Sequence, residues 1–223
     1  MDTDLFKKAL VKFAAGIVLV GLLLFLPAGT LGWWQGWLFM AILFVPMFVA
    51  GLVMMAKAPD LLRKRLDANE EQSEQRIVLA LSALMFVASF VIAGLGVRFG
   101  WLVFPSWVSR IGAVVFLAAY ALYAEVMREN AYLSRTVEVQ EGQRVVDTGL
   151  YGIVRHPMYS ATLFLFLSMP IVLGSPFSLV IMLIYLPIIV KRIRNEEAVL
   201  AEGLQGYRAY MRRVKWRLIP RVW

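Results

Sequence analysis

Four long apolar runs, at about 10–26, 37–56, 77–97 and 111–126, constrain this chain more than anything else in it. A helix needs roughly 20 residues to cross a typical hydrocarbon core. The first three runs, of 17 to 21 residues, are adequate for that, and the fourth becomes so if it begins near Trp107. Backbone groups in lipid must be satisfied within their own segment, so such runs are expected to be helices. With 61% hydrophobic residues the chain is more apolar than a soluble domain of its 223 residues. The expected fold is an all-α integral membrane protein with five to six membrane-embedded helices.

Two further apolar runs, at about 158–173 and 177–190, are joined only by Gly174-Ser175-Pro176. Gly and Pro at such a junction read as a tight turn. The runs are short, so they are expected to form a helical hairpin whose tip need not reach the far interface. The N-terminal segment carries Asp2, Asp4, Lys7, Lys8 and Lys12 ahead of a long apolar stretch. It reads as an uncleaved first span, because a signal peptide has a shorter apolar core and a small-residue cleavage site.

The basic residues orient these spans. If the N-terminus is cytoplasmic, 21 of the 23 Lys and Arg fall on the cytoplasmic side, leaving only Arg98 and Arg110 outside. Such an asymmetry sets topology. Both termini are therefore expected in the cytoplasm, in a plasma membrane or a bacterial inner membrane. Trp33, Trp34, Trp37, Trp101 and Trp107 cluster near the short outer loops, as interface anchors do. The net charge of +8 sits in loops and at span ends, where it faces lipid headgroups and not nucleic acid. There is no cysteine and a single histidine, so disulfides and a cysteine nucleophile are excluded and no metal site is expected.

That histidine stands in Leu150-Tyr-Gly-Ile-Val-Arg-His-Pro-Met-Tyr159, at the entrance to the hairpin. Lys191-Arg192-Ile-Arg-Asn-Glu196-Glu197 leaves the hairpin at the same end. An antiparallel pair with a short turn sets its open ends side by side. Arg155, His156 and Tyr159 should then face Arg192, Glu196 and Glu197. Arg192 and Glu196 are four apart and share a helix face, and Pro157 suits a first helical turn. Ionisable groups at the mouth of a span are costly and mark function. Donors, acceptors and a carboxylate pair beside apolar walls describe a pocket for a polar cofactor and an apolar co-substrate.

The same residues resemble a known family. Asp147-Thr-Gly-Leu-Tyr-Gly-Ile-Val-Arg-His-Pro-Met-Tyr159, then Arg192-x-x-x-Glu196-Glu197-x-x-Leu200, then Gly206-Tyr207-x-x-Tyr210 is similar to isoprenylcysteine carboxyl methyltransferases and their phospholipid-methyltransferase relatives. The resemblance covers about the C-terminal half, from Arg128-Glu-Asn130 to Pro220. It implies an S-adenosylmethionine-dependent methyltransferase with a cytoplasmic cofactor pocket, acting on an amphiphilic methyl acceptor from the bilayer. It divides the chain into N-terminal membrane helices, 1–126, and a methyltransferase-like region, 127–223. By resemblance the cofactor-binding residues are Thr136, Gln143, Arg144, Val145, Val146, Tyr151, His156, Pro157, Met158, Tyr159 and Glu196. Arg192 falls on the acceptor side, and Arg155 and Glu197 complete the catalytic candidates.

This chain departs from the family in reading Gly-Ser-Pro where Asn-Pro is common, and Ser160-Ala161 where a glycine often follows the tyrosine. Its ending, Leu-Ile-Pro-Arg-Val-Trp, also resembles that of membrane sterol reductases. An NADPH-dependent reductase is therefore one alternative, and a non-catalytic membrane scaffold another. The Glu196-Glu197 pair favours the methyltransferase. An acceptor carboxylate is already ionised near neutral pH, so Arg192 need only orient it. An ammonium acceptor would need a base, for which Glu196, Glu197, His156 or Tyr159 could serve.

Overall fold

The computed structural model describes residues 3–66, 73–130, 132, 139 and 142–223. Among these residues the regular structure is entirely helical. The helices are α1 (Thr3–Ala28), α2 (Trp34–Lys57), α3 (Pro59–Leu66), α4 (Ser73–Arg98), α5 (Ser106–Glu129), α6 (Pro157–Val172), α7 (Pro176–Met182), α8 (Tyr185–Gly203) and α9 (Tyr207–Arg213). Among the described residues five stretches are long and apolar enough to cross a membrane: α1, α2, the Ala80–Arg98 part of α4, α5, and α7 with α8 taken together. With the shorter α6, this is the all-helical multi-pass membrane architecture expected from hydropathy.

The chain divides into two compact units, one of residues 1–114 and 168–182, the other of residues 115–167 and 183–223. In the first, small residues let helices approach. A Cβ on Gly94 would lie 2.5 Å from the Leu24 carbonyl oxygen, so α4 and α1 meet backbone to backbone there. A Cβ on Gly112 would lie 2.8 Å from Ile171 Cγ2. Small residues at crossings are the usual basis of packing in lipid, where no hydrophobic drive pulls helices together. Aromatic contacts fill the wider gaps, with Phe39 against Phe90 at 5.5 Å and Phe13 against Phe44 at 5.7 Å. Ser89 and Ser178 hydroxyls, both buried, join α4 to α7 at 2.5 Å.

The turn after α6 carries its own satisfaction. Gly174 takes φ +74°, the Ser175 N–H donates to the Pro170 carbonyl at 2.9 Å, and Ser175 Oγ accepts the Ser178 N–H at 3.2 Å. Glycine is suited to that left-handed position, as at helix C-termini generally. The tryptophans divide. Trp34, Trp37, Trp101 and Trp107 are exposed, as interface anchors should be, but Trp33 is buried and packs edge-on against Phe25 at 6.1 Å.

The arms after the turn differ from the expected pair of short helices. α6 has 16 residues, but the second arm, α7 plus α8, extends to Gly203 with a break at Leu183–Ile184. Pro187 explains the break. It has no N–H for the Leu183 carbonyl, which instead accepts from the Leu186 N–H at 3.0 Å.

In the second unit, the first part of α6 lies antiparallel to α8. Thr162 Oγ1 meets the Tyr185 hydroxyl at 3.0 Å, and the Phe166 and Tyr185 rings lie 4.8 Å apart. Nearer the other end, Tyr159 meets Glu196 and Arg192. A small core of Leu204, Tyr207, Tyr210 and Val214 holds α9, with Val145 and Leu200 packed against it.

Candidate functional site

The loop before α6 is anchored from three sides. Its 3-10 turn, Gly149–Gly152, starts with a glycine at φ +51°. A Cβ there would fall 1.6 Å from Glu129 Oε1, because that carboxylate accepts the Leu150 N–H at 3.0 Å. Asn130 at the end of α5 donates to the Tyr151 hydroxyl at 2.9 Å, and Tyr210 on α9 donates to the Tyr151 carbonyl at 2.8 Å. Arg213 pairs with Asp147. Burial, against the opposing Asn130 hydrogen bond, pushes the Tyr151 phenol up to about 12. It stays a neutral donor through the physiological range.

The start of α6 is held by the tail. The Arg155 N–H donates to the Trp216 carbonyl at 2.8 Å, the His156 N–H to the Arg217 carbonyl at 2.9 Å, and Ser160 Oγ to the Leu218 carbonyl at 2.6 Å. Beneath lies one buried carboxylate with three partners. Glu197 Oε1 accepts from Arg155 Nε at 2.7 Å and meets His156 Nε2 at 3.2 Å, and Oε2 accepts from Arg217 Nε at 2.8 Å. Arg155 completes its donors with the Val214 and Lys215 carbonyls, at 2.8 and 3.0 Å. A buried charge is tolerated only when paired and hydrogen-bonded in this way.

One helical turn away from Arg155, Tyr159 bridges the neighbouring groups. Its hydroxyl accepts from Arg192 Nε at 2.9 Å and donates to Glu196 Oε2 at 2.5 Å. The His156 and Tyr159 rings stack at 5.6 Å, and His156 Nδ1 lies 3.9 Å from Glu196 Oε1. The face-sharing of Arg192 and Glu196 expected from their spacing is thus joined through a third side chain.

These groups open on a single cleft in the second unit. Gln143, Arg144, Val145, Val146, Tyr151, Arg155, His156, Met158, Tyr159, Arg192 and Glu196 line it. Two candidates do not. Pro157 is fully buried at the first turn of α6, and Glu197 lies behind the wall. Thr136 lies outside the described residues. The cleft also takes in Asn130, Tyr132, Leu200, Leu204, Tyr207 and Tyr210, which were not assigned a role from sequence. A signal for the last two existed: Tyr207 and Tyr210 stand three apart after Gly206, on one helix face.

Tyr207 has a further property. Its hydroxyl is buried in the cleft wall with no hydrogen-bond partner among the described residues. Burial, with the nearby Glu197 and Glu196 charges, raises its ionisation well above the ordinary tyrosine range. Buried polar groups are rarely left unsatisfied, so this hydroxyl calls for a water, an ion or a ligand beside it. Among the described residues no group of three or more His, Cys, Asp or Glu is arranged to hold a metal ion.

No curated protein matches the chain in sequence. Among solved structures, the chain is similar to the eukaryotic intramembrane Ras methyltransferase ICMT (isoprenylcysteine carboxyl methyltransferase). The match covers 94% of this chain and 75% of that one, with a TM-score of 0.59 and 18% identity. At that identity the likeness is one of fold. The model of the isoprenylcysteine carboxyl methyltransferase (ICMT) family matches residues 110–202, a stretch that holds Arg155, His156, Tyr159, Arg192, Glu196 and Glu197. Residues 110–202 of this chain are thus similar to the isoprenylcysteine carboxyl methyltransferase (ICMT) family.

Proposed function

We propose that the chain transfers a methyl group from S-adenosylmethionine to the carboxylate of an isoprenylcysteine-like amphiphile at the cytoplasmic face of its membrane. The observation that carries this reading is the Arg192–Tyr159–Glu196 arrangement on one cleft wall. It sets a guanidinium and a carboxylate beside each other through a shared phenol. The residues present fit the cofactor. The unpartnered Tyr207 hydroxyl offers a donor and an acceptor, and Glu196 offers acceptors for an amine or ribose hydroxyls. Met158, Val145, Leu200 and Leu204 supply apolar surface for a purine. Bound there, the cofactor supplies an electrophilic methyl group on a positive sulfur, a charge that carboxylates and aromatic faces favour.

The protein's share of catalysis is then orientation and exclusion of water. Arg192 orients the acceptor carboxylate, a task suited to a planar guanidinium. The acceptor is ionised near neutral pH, so no residue need remove a proton. Arg155 and Glu197 act at one remove, holding His156 and the tail against the start of α6. The loop residues Gln143 to Val146, with Tyr151, close the cofactor side, and Thr136 belongs to the same proposed set.

Titration of the purified protein with S-adenosylhomocysteine and with NADPH tests this, because a ligand stabilises what it binds by mass action. A thermal shift with S-adenosylhomocysteine alone is expected. A shift with NADPH alone would overturn the reading in favour of a reductase. Labelled methyl transfer to a farnesylcysteine analogue, and not to its methyl ester, is the matching activity.

A further inference from the structure

The first unit holds a second concavity, independent of the cleft. α1, α2 and α3 line a half-open cavity of about 320 Å³, with Phe13 and Phe48, whose rings lie 5.3 Å apart, and Met47, Met55 and Leu62 on its walls. That volume lies in the range of ligand sites, about 300–1,000 Å³. Among the described residues lining it, one is charged: Lys12. Its ammonium donates to the carbonyl of Leu66, the last residue of α3. An ammonium has three donors, so this bond leaves capacity for an anion.

A lysine on an apolar wall within a membrane span is costly without a counter-charge. In sequence, the three helices together carry seven Lys and Arg against two Asp. Basic pockets beside membrane helices suit phosphate headgroups. Gly51 completes the cavity, and a Cβ built on it meets nothing within 4 Å. The space beside α2 is therefore open where a side chain would otherwise stand.

We propose that this cavity holds one acyl chain of an anionic phospholipid whose phosphate sits on Lys12. The site goes beyond methyl transfer and stands on the first unit alone. A neutral lipid would satisfy the apolar walls but leave the ammonium without its counter-ion.

The full chain, purified from mixed phosphatidylglycerol and phosphatidylcholine vesicles, tests this by native mass spectrometry of retained lipid. The wild type should retain phosphatidylglycerol over phosphatidylcholine by about fivefold, the effect of roughly one basic side chain near a charged headgroup. Lys12→Gln should bring that ratio to about one. Gly51→Leu, which fills the cavity and favours helix, should lose both lipids while circular dichroism stays unchanged. Equal retention of the two lipids by the wild type overturns the proposal, whatever the variants do. So does an unchanged ratio in Lys12→Gln. Displacement of the lipid by a stoichiometric farnesylcysteine analogue, in the wild type and not in Gly51→Leu, would make the cavity an acceptor site instead.

Discussion

Arg155 and Glu197, 42 residues apart in sequence, form a buried ion pair at 2.7 Å that ties the entrance of α6 to α8. Their side chains are 5% and 6% exposed. Removing one partner of such a pair leaves a buried charge behind, at a cost of about 3–5 kcal/mol. Glu197→Ala should therefore lower the thermal midpoint sharply in detergent. Arg155→Met with Glu197→Leu should be milder than Glu197→Ala, since the buried guanidinium leaves with its carboxylate and only the part-exposed Arg217 loses a partner. Midpoints that fall equally in both would mean that the pair is not what holds this corner.

Tyr159→Phe removes the hydroxyl between Arg192 and Glu196 and little else. Hydrogen bonds to charged groups contribute about 1.5–3 kcal/mol, which corresponds to a loss of roughly 10- to 150-fold in kcat/KM. The fold should survive, because the ring keeps its stack on His156. Steady-state kinetics beside a melting curve checks both halves. Full activity would remove the bridge from the proposed chemistry.

Tyr207→Phe makes the opposite trade. Its hydroxyl has no partner among the described residues, and an unsatisfied buried group costs about 1–3 kcal/mol. The variant should melt at the same temperature or higher. If the hydroxyl serves the cofactor, affinity for S-adenosylhomocysteine should fall about five- to tenfold, a typical value for one neutral hydrogen bond. Calorimetry decides, and a loss of stability with unchanged affinity would make Tyr207 a core residue only.

Gly149→Ala should disable the loop. The new Cβ would collide with Glu129 Oε1, and φ +51° is strained for any side chain with a Cβ. The carboxylate that holds the Leu150 N–H would have to move. A loss of S-adenosylhomocysteine binding with helix content preserved is expected. Wild-type affinity would show that the loop tolerates the shift.

Orientation is open to direct measurement, because the chain has no cysteine of its own. Leu102 and Lys215 are both exposed. In intact cells an impermeant maleimide should label Leu102→Cys and spare Lys215→Cys until the membrane is broken. The reverse pattern would invert the proposed topology.

The span positions were legible because lipid leaves little choice: a run of about 20 apolar residues is a helix or does not enter the bilayer. The hairpin entrance was legible from residue types and spacing, and Arg155, His156, Tyr159, Arg192 and Glu196 do meet. The long second arm was not, since the break above Pro187 interrupts its hydropathy before a charged continuation. Trp33 was also misleading, because interface and core tryptophans look alike in sequence. Tyr207 and Tyr210 were visible as a pair, but nothing local said that one hydroxyl would bond the Tyr151 carbonyl and the other face the cleft without a partner.

By itself, then, the sequence determined the solvent, the helices and the residues that gather at one end of α6 and α8. Each of these follows from local composition and periodicity. Only the tertiary structure decided that Glu196 faces the cleft while its neighbour Glu197 turns behind the wall to Arg155, His156 and Arg217. Adjacent residues on a helix point about 100° apart, so packing alone chooses which carboxylate faces the cleft and which holds the fold.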